Sequence, residues 1–297
     1  MMTRTAVGRF VSDEARQTFL KAYDEAMTLW PGPRDEYDVE TRFGTVHAHR
    51  YGATTGEPIV LLHGHGASSS TWYPQVEAFG RHHPVYAIDT IDDPGRSVQH
   101  TVVKDSRDNA AWLDDTLAGL GLERVHLVGL SYGGWLALNQ AIFAPARLAS
   151  VTLLDPGGLQ KVPPRFLLAA ISGLVAMAFP RRTRPWLARV LANHALIAPR
   201  RLMAPVLLGT RTFRPSYRPS ARPFTDEELA SSTVPAHVLL AERSFLLHAP
   251  KALARVRAHL PGARAEILPG LGHGLPLEDP GLVNARVLDF VDGLSRP

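Results

Sequence analysis

The 297-residue chain contains no cysteine. That excludes disulfides, thiolate metal sites and a cysteine nucleophile, and it leaves the redox compartment open. Long hydrophobic runs are also missing. The longest uncharged one, Phe166 to Phe179, has 14 residues and lies between Arg165 and Arg181, short of the roughly 18–20 needed to span a bilayer. The N-terminal MMTRTAVGRFVSDEARQ has no apolar stretch followed by a small-residue cleavage site, so no signal peptide is read and a cytoplasmic protein is expected. Acidic residues are absent from one long window. Pro156 to Thr225 holds twelve Lys and Arg and no Asp or Glu, out of 32 basic and 28 acidic residues in the whole chain. The net charge of +4 therefore averages an acidic body and a basic segment. Such a segment is either a solvated surface or one that attracts anions. No nucleic-acid partner is indicated.

What is present is enough for a sizeable core, with 45% apolar and 20% charged residues. Asp13–Trp30 has helical spacing and stops at Pro31-Gly32-Pro33. Short strands are expected around 36–42 and 45–51, with Phe43-Gly44 at the turn. Alternation follows, with strands at 58–62, 84–88, 124–129 and 150–154 and helices at 72–79, 108–120 and 132–143. Apolar strands without alternation, separated by helices, predict a mostly parallel sheet covered on both faces. After Gly158 the rhythm breaks for a helical, Pro/Arg-rich stretch. It resumes with strands at 236–241 and 263–268 and helices at 250–259 and 278–294. The division expected is a core in two parts, 1–158 and 231–297, with a basic helical cap, 159–230, inserted between two strands.

Three motifs carry chemistry. Gly129-Leu130-Ser131-Tyr132-Gly133 joins an apolar strand to a helix, the setting of a nucleophile elbow, with small residues two before and two after the serine. A serine there stands at a helix N-terminus that favours developing negative charge. Leu61-Leu62-His63-Gly64-His65-Gly66-Ala67 follows another central strand and can offer backbone N–H groups to a tetrahedral oxyanion. The donors expected are the N–H groups of His65 and Tyr132. A phosphate loop lacks its Lys-Ser/Thr here, and a metal pair at His63 and His65 has no nearby carboxylate in sequence. Pro269-Gly270-Leu271-Gly272-His273-Gly274 follows the last strand, placing His273 where a base approaches the serine, in the chain order Ser first and His last.

With these residues the chain resembles the α/β-hydrolase-fold serine hydrolases from about Phe43 to Leu294. The segments HGHGASSSTWYP, DDPGRS, VHLVGLSYGGW, FTDEEL and LGHGLPLEDP fall at that family's characteristic positions. The resemblance implies Ser131 as nucleophile, His273 as general base and residues 159–230 as a lid. It also implies a small-molecule acyl substrate (an ester, thioester or lactone) and no cofactor or metal. The acid is the gap. Many members carry it after the strand that follows the lid, in a Gly-Glu-x-Asp or Gly-Glu-x-Glu pattern, and the matching residues here are Ala241-Glu242-Arg243-Ser244. Some branches carry it one strand earlier, which points to Asp155. Asp155 is the expectation, with Glu242, or no acid at all, as alternatives. The basic lid adds the expectation of an anionic or carrier-bound substrate. Acyl transfer on the same fold remains open, and so does a slow or non-catalytic ligand receptor or sensor, which the serine at 244 keeps in play.

Overall fold

The computed structural model describes residues 7–164, 166, 175, 179–191, 193–216 and 221–295. The strands are β1 (Arg9–Phe10), β2 (Asp35–Thr41), β3 (Gly44–Gly52), β4 (Ile59–Leu62), β5 (Pro84–Ile88), β6 (Val98–Gln99), β7 (Val125–Leu130), β8 (Leu148–Leu154), β9 (Phe213–Arg214), β10 (Ala236–Ala241) and β11 (Arg264–Leu268). The α-helices among the described residues are α1 (Asp13–Met27), α2 (Tyr73–Gly80), α3 (Ser106–Gly119), α4 (Tyr132–Phe143), α5 (Arg184–Leu191), α6 (Arg200–Thr212), α7 (Asp226–Ser231), α8 (Ala249–His259), α9 (Leu275–Glu278) and α10 (Pro280–Ser295).

The central sheet runs β11-β10-β8-β7-β4-β5-β3-β2, with β6 paired to β3. From β5 to β11 all neighbours are parallel, while β3 joins β5 and β2 joins β3 antiparallel. Successive residues of a strand point to opposite faces, and both faces are buried. Val60 and Leu62 pack with Trp112 of α3, Trp135 of α4 and Val256 of α8. Ile59 and Leu61 pack with Tyr23 of α1, Phe79 of α2 and Val287 of α10. That is why β4, β7, β8 and β10 read as mostly apolar runs without alternation.

Several element ends differ from the sequence reading, each for a local reason. Helix α1 opens at Ser12, whose side chain accepts from Ala15 N–H, with Asp13 and Glu14 in its first turn. It ends at Met27 and not Trp30, because Leu29 and Trp30 donate three residues back and tighten the last turn. The helix expected at 72–79 is preceded by a 3₁₀ turn at Ser69–Trp72. The last helix is split, because Pro280 has no N–H to continue α9 and starts α10 instead.

Between β8 and β10 the chain leaves the sheet and returns. It contributes α5, α6 and α7 and strand β9, which pairs with β1 near the N-terminus. Helix α6 packs against α1, and a Cβ on Gly209 would come within 2.8 Å of Pro94 and 3.6 Å of Phe19. The apolar stretch 166–179 lies outside the described residues except at Phe166, Val175 and Phe179. No helix among the described residues is long and apolar enough to cross a membrane.

Candidate active site

The turn from β7 to α4 is built by close approach. A Cβ on Gly129 would lie 2.1 Å from the Gly133 carbonyl oxygen, and one on Gly133 would lie 2.0 Å from that of Leu62. No side chain fits at either place, so the G-x-S-x-G spacing follows from packing. Ser131 between them sits at φ 56°, ψ −110°, a conformation costly for a residue with a Cβ. Its backbone holds it there. Ser131 N–H donates to Leu154 O, and Ser131 O accepts from Trp135 and Gly157 N–H.

The loop after β4 approaches this turn directly. A Cβ on Gly64 would lie 3.5 Å from that of Ser131. His63 is fully engaged in this loop. Its Nδ1 lies 2.9 Å from Gly64 O, and its Nε2 accepts from Thr90 N–H at 3.0 Å. His65 has its Nδ1 2.9 Å from Asp93 Oδ1, which also accepts from Gly66 N–H. Tyr132, first residue of α4, donates its hydroxyl to Asp92 Oδ2 at 2.9 Å and stacks on Trp135. Asp92 and Asp93, from the DDPGRS segment, thus brace the two residues whose N–H groups are candidate oxyanion donors.

His273 lies in the loop between β11 and α9, and its Nδ1 is 2.6 Å from Asp155 Oδ2. Asp155 directly follows β8, is fully buried and has φ 40°. Its carboxylate accepts from two further donors, the Ser244 hydroxyl at 2.6 Å on Oδ2 and Ala241 N–H at 3.2 Å on Oδ1. So the serine in the usual acid position touches the carboxylate that touches His273. Ser244 Oγ also accepts from Leu246 and Leu247 N–H, which leaves its own proton aimed at Asp155. That role carries no signal in the sequence beyond the serine itself at position 244. Glu242, the alternative acid, points elsewhere. It is exposed, and its Oε2 accepts from Gly270 N–H at 2.7 Å, bracing the histidine loop from outside.

Ser131, His65 and His273 line one cavity of about 330 Å³, with Trp72, Met203, Val206, Phe245 and Leu277 among its apolar walls. Met203 and Val206 come from α6, so the inserted segment forms part of that wall. The segment also meets the histidine loop, since Arg243 donates to Val190 O at 3.1 Å and a Cβ on Gly274 would lie 3.7 Å from that of His194. Burial lowers the His194 imidazole below its ordinary value. A second groove of about 710 Å³, with Arg184 and Arg200 on its rim, shares Met203 with the first.

A buried acid beside a histidine, and a strained serine at a helix N-terminus in the same cavity, define a hydrolase of the α/β type, and comparison with known proteins agrees. The model of the alpha/beta hydrolase family matches residues 59–286, and the chain belongs to that family. It is 32% identical to carboxylesterase YbfK of Bacillus subtilis over 96% of this chain and 97% of that one. It is also 32% identical to the uncharacterized carboxylesterase nap of the same organism, over 94% of each. Among solved structures it resembles the Bacillus subtilis naproxen esterase (carboxylesterase NP) with TM-score 0.84 and 29% identity, covering 95% of this chain and 99% of that one.

Proposed function

We propose that the protein hydrolyses carboxylic esters through an acyl-Ser131 intermediate, with His273 as general base and Asp155 as its acid. The pairing of His273 Nδ1 with the buried Asp155 carboxylate at 2.6 Å carries this reading. It holds the imidazole in the tautomer whose Nε2 lone pair can accept a proton, and it stabilises the imidazolium that results. Ser131 Oγ attacks the carbonyl carbon as His273 Nε2 takes its proton. The tetrahedral oxyanion is received by the N–H groups of His65 and Tyr132 at the start of α4. Collapse expels the alcohol, which takes the proton from His273, and water then repeats the sequence on the acyl-serine. A thioester or lactone would follow the same steps.

The apolar wall fits a compact hydrophobic acyl or aryl group, since about 330 Å³ is at the small end of ligand cavities. Residues 159–230 serve as a lid, of which Met203 and Val206 supply part of this wall. Stoichiometric labelling of Ser131 by a fluorophosphonate, together with turnover of p-nitrophenyl esters, tests the reading. Labelling without turnover would favour a receptor or sensor.

The arginines on the neighbouring groove support a preference for anionic acyl substrates, such as carrier-bound thioesters, over neutral esters of equal chain length. That preference should shrink with added salt, because the Debye length falls from about 10 Å at 0.1 M to about 3 Å at 1 M. Equal salt dependence of kcat/KM for both kinds of substrate would assign the basic lid to solubility alone.

Ser244 supports the acid. Ser244→Ala removes one charge-assisted hydrogen bond to Asp155 and leaves Leu246 and Leu247 N–H without their acceptor. The expected result is a loss of about 1.5–3 kcal/mol in stability and about a tenfold fall in kcat with KM little changed. Denaturant unfolding and steady-state kinetics check the two parts separately.

A further inference from the structure

Away from the serine, a second set of side chains converges at the outer edge of the sheet. His47 and His49 are two apart on β3, so their rings share a face. Their register partners on β2 are Asp38 and Glu36. Both histidines are buried, at 4% and 0% exposure. Each has one ring nitrogen engaged. His47 Nδ1 lies 2.7 Å from Asp38 Oδ1, and His49 Nε2 lies 2.7 Å from the hydroxyl of Tyr23 on α1. The other two, His47 Nε2 and His49 Nδ1, are buried with no hydrogen-bond partner. Both face Glu36, whose carboxylate oxygens lie 3.8 Å and 3.5 Å away. Unpartnered buried nitrogens are uncommon. Two that converge on a single carboxylate call for a common cause.

We propose that Glu36, His47 and His49 bind a divalent transition-metal cation of the zinc class, with water in the remaining position. Two imidazole nitrogens and a carboxylate oxygen suit such an ion, at about 2.0–2.2 Å each. Tetrahedral geometry would set these donors about 3.3 Å apart, and all three now lie within 4.8 Å of one another. Closing the gap needs a swing of the Glu36 side chain, which is 42% exposed, and a small rotation of the rings. The outer partners suit a metal site, since Asp38 accepts from His47 Nδ1 and the Tyr23 hydroxyl can accept from His49 Nε2, which leaves lone pairs on His47 Nε2 and His49 Nδ1. Arg34 is the local rival for Glu36, with Nε 3.7 Å from Oε1. Its Nη1 remains tied to Met27 O, so the carboxylate can leave it for the ion without moving the arginine. The bound cation would clasp the β2–β3 hairpin to α1 through Tyr23.

The test uses the whole protein, stripped with a chelator and dialysed. Calorimetric titration with Zn²⁺ should give one equivalent per chain, and the unfolding midpoint should rise with Zn²⁺. Co²⁺ should give the intense visible bands of a four-coordinate ion. Glu36→Gln should weaken Zn²⁺ binding at least tenfold, Asp38→Asn should weaken it about 10–100-fold, and both should reduce the metal-dependent rise in midpoint at a fixed Zn²⁺ concentration. Both side chains reach solvent, at 42% and 67% exposure, so circular dichroism should report an unchanged fold. His47→Gln adds a ligand-deletion control if it folds, and the Glu36 variant decides if it does not. Absence of stoichiometric binding overturns the proposal. So does binding that Glu36→Gln leaves unchanged, which would put the ion on other histidines.

Discussion

Replacing Ser131 with alanine should leave a folded protein whose ester hydrolysis has fallen by about 10⁵–10⁶. The fold should survive because the serine side chain makes no capping bond to α4. What holds the turn is the Ser131 backbone, bonded to Leu154, Trp135 and Gly157, and the two glycines beside it. Alanine meets the same strain at φ 56° as serine does. Circular dichroism and the unfolding midpoint should therefore be close to wild type, while fluorophosphonate labelling disappears. A variant with near-wild-type kcat/KM would remove the acyl-serine mechanism.

The second large effect belongs to Asp155→Asn, for which kcat should fall by about 10⁴ with the fold retained. Asparagine tolerates the positive φ of this position. Its difficulty is chemical. The Asp155 carboxylate accepts from His273, Ser244 and Ala241, and an amide presents donors of its own to some of these. If its NH₂ faces His273 Nδ1, the imidazole must put its proton on Nε2 and can no longer accept one from Ser131. Glu242→Gln should cost little by comparison, since that carboxylate serves Gly270 N–H. In the Asp155→Asn background, Ser244→Asp should restore part of the lost rate. In the wild-type background the same change sets two carboxylates side by side and should lower activity. A silent Asp155→Asn alongside a crippling Glu242→Gln would return the acid to β10.

The parallel sheet was legible because β4, β7, β8 and β10 are buried on both sides, and their sequences show it as mostly apolar runs without polar alternation. The serine turn was legible for a related reason. Gly129 and Gly133 stand where backbones come within contact distance, and that constraint leaves its mark in the spacing itself. Asp155 was harder to read. Asp-Pro-Gly ends many strands, and its meeting with His273 joins residues 118 apart in sequence. The hydroxyl of Ser244 could not be read at all, since a serine's partners depend on three dimensions. The Glu36, His47 and His49 cluster also escaped notice. His-x-His on a strand is visible, but Glu36 enters only through the β2–β3 register.

The contact between Ser244 and Asp155 has a consequence for descent. The ends of β8 and β10 are two adjacent seats from which one negative charge can serve the same histidine. A lineage that passes through carboxylates at both seats can hand the charge across one substitution at a time, and no ancestor need lose the partner of its base. On that view a relative with serine after β10 is no degenerate enzyme by that sign alone. Whether it has kept its chemistry is written at the end of the neighbouring strand.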